Sequence, residues 1–239
     1  MILSKPTVSF IKNKLIKTAN LLGIESVIIE KTRIRAMDEK QTTVILHDHD
    51  MDIPFESIGL GRLSLLNSRL SLAKDEDITV DAIPDERSPT FITRLDIKAK
   101  KFKVDYRAAN PAAIKAPKGF KSSNDAWFCK VELSEEDLDL LIKASNSMPQ
   151  KTDSGSICMM GDPATGGMMI VLTDTNSDSF EMMVEGKVEF NTSDKIIVNY
   201  PLKQFLTLIK NNDGVLIVGD RNLLKTTVNS ITILVFPIQ

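Results

Sequence analysis

Residues 3–15 read LSKPTVSFIKNKL, and residues 133–145 read LSEEDLDLLIKAS. In both stretches a serine, Ser4 or Ser134, stands directly before a run of residues with helical spacing. A serine hydroxyl at this position accepts a hydrogen bond from the first turn of a helix, so each stretch predicts a helix start. The two predicted helices cover residues 4–20 and 134–148.

A second pair of landmarks follows in the same order. Residues 53–66 read IPFESIGLGRLSLL and residues 200–210 read YPLKQFLTLIK. Because proline is tolerated in the first turn of a helix, Pro54 and Pro201 predict two more helices. These helices are expected over residues 56–67 and 201–211, and β-type segments follow each helix. The repeated order of helix, strands, helix and strands predicts an internal duplication.

A segment of different composition separates the two halves. Residues 110–125 read NPAAIKAPKGFKSSND and are rich in Pro, Lys and Ser, whereas both flanks carry periodic apolar residues. Such a segment is typical of a joint between domains. We therefore predict an N-terminal domain over residues 1–108, a connector over residues 109–125 and a C-terminal domain over residues 126–239.

The composition is that of a soluble globular protein, with 42% hydrophobic and 26% charged residues. The apolar runs are shorter than a membrane span, and Met1–Leu3 leads into a Lys-bearing amphipathic segment instead of a signal peptide. These features predict a cytoplasmic protein without a membrane partner. Cys129 and Cys158 lack a CxxC spacing and are predicted to be buried hydrophobic residues.

Basic residues are concentrated on the predicted helices. The chain carries a net charge of −2, whereas a protein that coats nucleic acid is usually basic overall. Residues 5–20, however, hold four lysines and no acidic residue, and residues 5–20, 56–69, 134–148 and 202–212 together carry +4. The third helix is the exception, because its start is acidic at Glu135, Glu136, Asp137 and Asp139. The helices therefore predict a basic surface in an acidic protein, or alternatively ordinary solvated helix faces.

The order of elements resembles that of the replication sliding clamps. Residues 3–13, LSKPTVSFIKN, are similar to the opening of the bacteriophage T4-type clamp. Residues 36–46, AMDEKQTTVIL, are similar to a strand–turn–strand segment of proliferating cell nuclear antigen, the eukaryotic clamp, and residues 230–239, SITILVFPIQ, fit the same plan. The resemblance implies an α+β fold of two tandem similar domains, each with two helices packed on antiparallel sheets. It also implies a closed ring of six domains, which three copies of this chain would build.

The resemblance implies a function as well. The ring would encircle double-stranded DNA, be opened by a clamp loader ATPase and tether a DNA polymerase, with no catalytic residue, metal or cofactor of its own. A ring that slides must attract phosphates without reading bases, so lysines should face the pore. The lysines expected there are Lys5, Lys12, Lys14, Lys17, Lys143, Lys203 and Lys210.

Clamps of this kind also hold partner peptides in a groove beside the connector. An apolar groove suits peptides with aliphatic or aromatic anchors. Carried over to this chain, its lining would be Met37, Gln41, Thr42, Ile114, Pro117, Phe236, Pro237 and Ile238. In T4-type clamps partners also use the subunit interface, and the connector is equally compatible with a plain spacer. Residues 98–104, KAKKFKV, are expected to form an edge strand that pairs across a subunit boundary or offers charge to the loader.

Two other strings suggest chemistry. Residues 46–52, LHDHDMD, place His47 and His49 on one face of a strand, where two imidazoles can start a metal site. The chain has no third histidine, and the aspartates between the two point to the other face, so a polar strand end or turn is expected and a metal-dependent enzyme is the alternative interpretation. Residues 161–167, GDPATGG, lack the GK[ST] ending of a phosphate loop and predict a hairpin turn. A monomeric duplicated processivity factor and a phage structural protein are further alternatives, and a homotrimeric clamp of bacteriophage type is our prediction.

Overall fold

A computed structural model describes residues 1–72, 74, 77–86, 88–117, 126–147, 155–173, 179–212 and 214–238. In this structure the chain divides into two units, Met1–Gly119 and Phe120–Gln239. The predicted connector therefore lies partly outside the described residues, at positions 118–125.

The N-terminal unit begins with the predicted helix. Helix α1 is α-helical over Lys5–Phe10, π-helical over Ile11–Ile16 and α-helical again over Lys17–Leu21. The Ser4 hydroxyl accepts a hydrogen bond from the Thr7 N–H at 3.3 Å, which confirms the predicted cap. The apolar residues of this run that recur at helical spacing, Val8, Ile11, Leu15 and Ala19, are buried in the unit.

The other described residues of this unit form seven strands, a second α-helix and a short 3-10 helix. The strands are β1 Val27–Glu30, β2 Arg33–Met37, β3 Thr43–Asp48, β4 Ser57–Leu60, β5 Thr79–Pro84, β6 Ile92–Ala99 and β7 Phe102–Arg107. Helix α2, Leu63–Leu70, follows β4, and a short 3-10 helix spans Pro111–Ala113. One antiparallel sheet has the order β3-β2-β1-β4, and the other has the order β5-β6-β7.

Two predictions are wrong in this unit. The helix expected over residues 56–67 starts later, because residues 57–60 form β4 and α2 begins at Leu63. Pro54 lies in the loop before a strand. Ile58 and Leu60 are both buried, and their alternate spacing is the pattern that indicates a strand here. The strand expected over residues 98–104 is divided by a turn at Lys100 and Lys101, so that β6 and β7 form a hairpin.

The described residues of the C-terminal unit form nine strands, two α-helices and a short 3-10 helix, Asp220–Asn222. The strands are β8 Trp127–Glu132, β9 Ser156–Asp162, β10 Gly167–Thr173, β11 Ser179–Met183, β12 Lys187–Phe190, β13 Ile196–Pro201, β14 Val215–Gly219, β15 Leu224–Val228 and β16 Ile231–Val235. Helix α3, Glu135–Ser147, follows β8, and helix α4, Leu202–Ile209, follows β13. The sheets have the orders β11-β10-β9-β13 and β12-β8-β14-β15-β16. Residues 163–166 form the predicted hairpin turn between β9 and β10.

The two units share one topology. In each, the first three strands after the first helix and the strand before the second helix make a sheet in the order third, second, first, fourth. The second helix leads in each unit to a three-stranded meander, β5–β7 or β14–β16. After the meander the chain returns to the edge of the fourth strand: the Ala109 N–H donates to the Gly59 carbonyl at 2.8 Å, and the Ile238 N–H donates to the Asn199 carbonyl at 2.9 Å. The predicted internal duplication is therefore present in the fold, and Gly59 and Asn199 occupy equivalent positions.

A buried carboxylate closes the start of α3. Asp137 is 2% exposed, and its oxygens accept the N–H groups of Ser134, Glu185 and Gly186 at 2.9, 3.0 and 2.9 Å. Burial raises the pKa of this carboxyl, but the three hydrogen bonds outweigh that effect and the pKa lies below its ordinary value. This side chain completes a reciprocal cap with Ser134, and it also ties the loop before β12 to the first turn of α3.

Candidate nucleic-acid interface

Helix α1 carries its lysines on the side that faces away from the core of the N-terminal unit. Lys5, Lys14 and Lys17 are exposed and Lys12 is half-buried, whereas Val8, Ile11, Leu15 and Ile16 are buried. The helix carries four lysines within about four turns, and its own sequence contains no Asp or Glu. It is therefore the most concentrated positive helix surface in the described part of the chain.

The π-helical segment changes how these lysines are arranged. In an α-helix, residues five apart point about 140° away from each other around the axis. In the π-helical segment Ile11–Ile16 the hydrogen bonds join residues five apart, which brings such residues closer to one line. Lys12 and Lys17 are five apart and are moved toward the same side of α1. Spacing at 3.6 residues per turn did not predict this alignment.

An aromatic contact supports the middle of this surface. The Lys14 Nζ lies 6.0 Å from the centroid of the Phe10 ring, at the outer limit of a cation–π contact. The Phe10 ring also stacks on the His47 ring, with the ring centroids 5.9 Å apart and an interplanar angle of 13°. Burial, the neighbouring His49 and Lys14 lower the pKa of His47 in spite of Asp48. The imidazole is therefore neutral near pH 7 and packs as an aromatic ring.

Helix α4 presents a second basic face, in the C-terminal unit. Lys203 and Lys210 are exposed, and Thr207 lies between them at helical spacing. The Thr207 hydroxyl donates to the Lys203 carbonyl at 2.8 Å, and the Asn211 amide donates to the Thr207 carbonyl at 2.8 Å. The opposite face of α4 is buried at Leu202, Phe205, Leu208 and Ile209. The face is polar and basic, as the sequence predicted.

The other two helices contribute less positive charge. Lys143 on α3 forms an exposed ion pair with Asp139 at 2.5 Å, so a carboxylate one turn away already compensates its charge. On α2 the Arg69 guanidinium donates to the Asp105 carbonyl of β7 and braces the helix against the sheet. Helix α1 in the N-terminal unit and helix α4 in the C-terminal unit therefore carry most of the positive charge of the helices. Lysines on such faces attract phosphates without distinguishing bases.

The residues predicted for a peptide groove lie on well-defined elements of their own units. Met37 ends β2, and Gln41 and Thr42 form the turn before β3, where Gln41 has a φ of 59°. The buried Asp38 carboxylate accepts the N–H groups of Thr42 and Thr43 at 2.8 and 2.7 Å, which fixes the turn. In the C-terminal unit Phe236 and Pro237 are half-buried and Ile238 is 37% exposed.

The described part of the connector is attached to the N-terminal unit. A Cβ placed on Gly59 would lie 2.9 Å from the Ile114 Cδ1 atom, so Ile114 packs on a position that only glycine leaves open. The Arg35 Nη1 atom donates to the Pro117 carbonyl at 2.8 Å, and Arg35 also pairs with Glu30. Ala109 and Ile114 thus contact β4, Pro117 contacts Arg35 of β2, and the Ile114 side chain is half-buried.

The histidine pair does not have the geometry of a metal site. The His49 Nε2 atom is 3.0 Å from the Glu30 carbonyl, and its Nδ1 atom accepts the Met51 N–H at 3.2 Å, so both ring nitrogens are engaged. Burial lowers the pKa of His49, as it does that of His47. Among the described residues no group of three or more His, Cys, Asp or Glu side chains is placed to hold a metal ion. Nothing in this region favours the metal-dependent enzyme.

Comparison with known proteins identifies the class of fold. No protein-family model matches the sequence, and no curated protein matches it. Among solved structures, the Helicobacter pylori beta clamp bound to a DNA ligase peptide matches with a TM-score of 0.64 and 14% identity, over 95% of this chain and 65% of that chain. The chain therefore spans slightly less than two thirds of the length of that bacterial clamp.

Two archaeal and eukaryotic clamps match over nearly their full lengths. The A. fulgidus proliferating cell nuclear antigen bound to the C-terminal region of FEN-1 has a TM-score of 0.63 and 14% identity, over 100% of this chain and 97% of that chain. The Entamoeba histolytica protein of the same name has a TM-score of 0.62 and 12% identity, over 94% of this chain and 95% of that chain. The chain has the fold of the DNA sliding clamps, as its order of elements predicted.

Within the described ranges, no helix is both long enough and apolar enough to cross a membrane.

Proposed function

We propose that this chain is the subunit of a DNA sliding clamp, a ring without catalytic activity that encircles duplex DNA and tethers a DNA polymerase. The observation that carries the proposal is the clamp fold over the whole chain, including both copies of its duplicated unit. The lysines on α1 and α4 support it, because a ring that slides needs positive charge with no base-specific contacts.

The pore surface in this proposal is formed by helices. Lys12, Lys14 and Lys17 on α1 and Lys203 and Lys210 on α4 make the main phosphate contacts. Lys5 lies at the start of α1, and Lys143 contributes least because Asp139 already pairs with it. The overall charge of −2 then leaves an acidic exterior, which limits binding of DNA to the outside of the ring.

Ring closure requires edges that can pair with another copy. Among the described residues β7 pairs only with β6, and β11 pairs only with β10, so each presents an open edge in its own unit. Open strand edges bind other strands through their unpaired backbone groups. We assign these two edges to the subunit boundary of a homotrimer, where each copy contributes two domains to a ring of six.

Partners are assigned by analogy with the matched clamps. One of these is bound to a DNA ligase peptide and another to the C-terminal region of FEN-1. We assign a groove for such peptides to Met37, Gln41, Thr42, Ile114, Pro117, Phe236, Pro237 and Ile238, beside a connector at residues 109–125 that joins domains 1–108 and 126–239. We also propose that a clamp loader ATPase opens the ring, that the protein comes from a bacteriophage and that it acts in the host cytoplasm.

The mass of the particle in solution tests ring formation. A single chain has a mass of 26.5 kDa, and we expect light scattering after gel filtration to give three times this value at micromolar concentration. Dilution should convert the trimer directly to monomer, because a ring with one subunit missing has two unpaired edges. A particle of one chain at every concentration would exclude the homotrimer.

A further inference from the structure

The outward face of one sheet in the C-terminal unit carries a row of apolar side chains. Met183 on β11 is the cross-strand neighbour of Met169 on β10, which neighbours Met160 on β9, which neighbours Ile197 on β13. Cross-strand neighbours point to the same face of a sheet. The two ends of the row are among the most exposed apolar residues of the unit, with Met183 57% and Ile197 61% exposed. We name these four residues the methionine row.

The rest of this face extends the row on one side. Val171 and Cys158 are cross-strand neighbours in the adjacent row and are half-buried, with Glu181 beside Val171 on β11. The residues between these positions on each strand, such as Met159 and Ile170, point the other way and are fully buried. The methionine row is therefore additional to the core, which is complete without it.

The duplicated fold supplies an internal comparison for this row. Because Gly59 and Asn199 are equivalent, Ser57 of β4 is equivalent to Ile197 of β13. Ser57 pairs with Glu30, the equivalent of Met160. The pair Ile29–Ile34 is equivalent to Met159–Ile170, so Arg33, the residue before Ile34, is equivalent to Met169. Arg33 in turn pairs with Asp48, the equivalent of Met183.

The same four positions thus have opposite chemistry in the two units. In the N-terminal unit they are polar or charged, and Arg33 forms an ion pair with Asp48 at 2.5 Å. In the C-terminal unit all four are apolar, although the fold and the strand registers are the same. The fold itself therefore does not require apolar residues at these positions. Exposed apolar patches that the fold does not require are a mark of interaction sites.

We infer that the methionine row is a docking site for a short segment of a partner protein, a segment with two or three aliphatic or aromatic anchors and a neighbouring Lys or Arg. Three steps between adjacent strands give the row a length of about 15 Å, which suits an extended peptide or a few turns of helix. Methionine side chains adapt to differently shaped apolar partners, which suits a site that accepts such anchors.

The size of the patch argues against a second copy of this chain as the occupant. A stable interface between two proteins buries about 800 Å² on each partner. A row four residues long and one to two residues wide offers on the order of 300 Å². A short linear segment can bury most of its apolar side chains on a surface of that size.

The charge of the occupant follows from Glu181. This carboxylate points to the same face as Met183 two residues along β11, and within the described ranges it forms no ion pair. Among the described residues, the other acidic group on this face is Asp162, which Lys195 already pairs at 3.0 Å. A basic residue next to the apolar anchors would therefore find an uncompensated carboxylate at one end of the row.

Two substitutions, at residues of nearly equal exposure, distinguish the loss of this site from the general effect of a new surface charge. Ile197→Glu places a charge in the row, and Leu72→Glu places the same charge at a residue of the N-terminal unit that is 60% exposed. Both side chains are solvated, so both variants should keep the wild-type circular dichroism spectrum and melting temperature. Ile197 lies three strands away from the open edge of β11, so its substitution should leave the mass of the particle unchanged.

The test uses a displayed library of random ten-residue peptides. The library is depleted on the Ile197→Glu chain and then selected on the wild-type full chain. We expect enriched peptides with two or more apolar anchors and a Lys or Arg, whose binding is at least tenfold weaker to Ile197→Glu and unchanged for Leu72→Glu. Glu181→Lys should weaken the same peptides several-fold.

A thiol reagent supplies an independent readout of where the peptides bind. Cys158 is half-buried in the row adjacent to the methionine row, whereas Cys129 is fully buried, and burial raises its pKa to about 11. Alkylation should therefore occur mainly at Cys158, and an enriched peptide should slow it.

Other outcomes overturn the inference. Absence of any enriched peptide, or peptides that leave Cys158 alkylation unchanged, would show that the row is not a docking site. A smaller particle mass for Ile197→Glu would instead assign the row to contacts between copies of this chain. Because the inference does not use DNA binding, either result leaves the proposed clamp function to its own tests.

Discussion

Reversing the charge of Lys12, Lys17, Lys203 and Lys210 to glutamate is expected to weaken binding to duplex DNA by at least about 100-fold at moderate salt. These four lysines lie on the polar faces of α1 and α4, away from the buried residues of each helix. Each phosphate contact that is lost should reduce the slope of log K against log salt concentration by about 0.9. The measurement is a salt titration of affinity for a random-sequence duplex, with the particle mass recorded in parallel.

A matched variant separates local charge from net charge. Lys31, Lys100, Lys101 and Lys115 are exposed residues outside the four helices, and reversing them changes the net charge by the same amount. We expect this control to keep most of the DNA affinity and of the salt slope. Equal losses in the two variants would show that overall charge, and not the helix faces, governs binding.

Asp137→Ala is expected to cost about 2–3 kcal/mol of unfolding free energy, because it leaves three part-buried N–H groups without their charged acceptor. The donors belong to Ser134, Glu185 and Gly186, which come from two separate segments of the C-terminal unit. The two segments lie in close contact, since a Cβ on Gly186 would lie 1.9 Å from the Glu132 carbonyl oxygen. Urea unfolding followed by circular dichroism measures the loss.

Asp139→Ala is the control on the same helix. Asp139 is exposed and its partner Lys143 is also exposed, so this substitution should change the unfolding free energy by less than about 0.5 kcal/mol. Losses of similar size for the two variants would contradict the role assigned to the buried carboxylate.

The effect of Asp137 should depend on pH. Its pKa in the folded protein lies below the value of about 3.9 for an unfolded aspartate. The stabilisation is therefore complete above about pH 4 and is lost as the pH falls through the lower, folded pKa. The difference in stability between the wild type and Asp137→Ala should accordingly become smaller in acid, which the same urea titrations measure.

Signals confined to a few consecutive residues were predicted correctly from the sequence. The Ser4 and Ser134 caps both form, because a cap depends on side chains and N–H groups within one turn. The order of helices and strands was sufficient to indicate the clamp fold, since that order repeats in the two halves. The predicted start of α2 was wrong because a proline can also precede a strand, as Pro54 does here.

Features that depend on contacts distant in sequence were not predictable. The contacts of Asp137 with the loop before β12 could not be predicted, because its donors Glu185 and Gly186 are almost 50 residues away. The methionines that face outward could not be predicted either, because the strand registers decide which face each methionine occupies and a shift of one residue would reverse it. The π-helical segment of α1 has no sequence signal at a period of 3.6 residues.

Topological retention on linear DNA tests the central claim, that copies of this chain close into a ring around the duplex. A ring can thread over open DNA ends without a loader, and streptavidin bound to biotinylated ends blocks them either before or after incubation with the protein. We expect the protein to remain on the DNA through a wash at about 1 M salt, where phosphate attraction is screened. This retention should occur only when the DNA ends are open during incubation and blocked afterwards. Retention that is lost at this salt concentration in both orders of addition would contradict it.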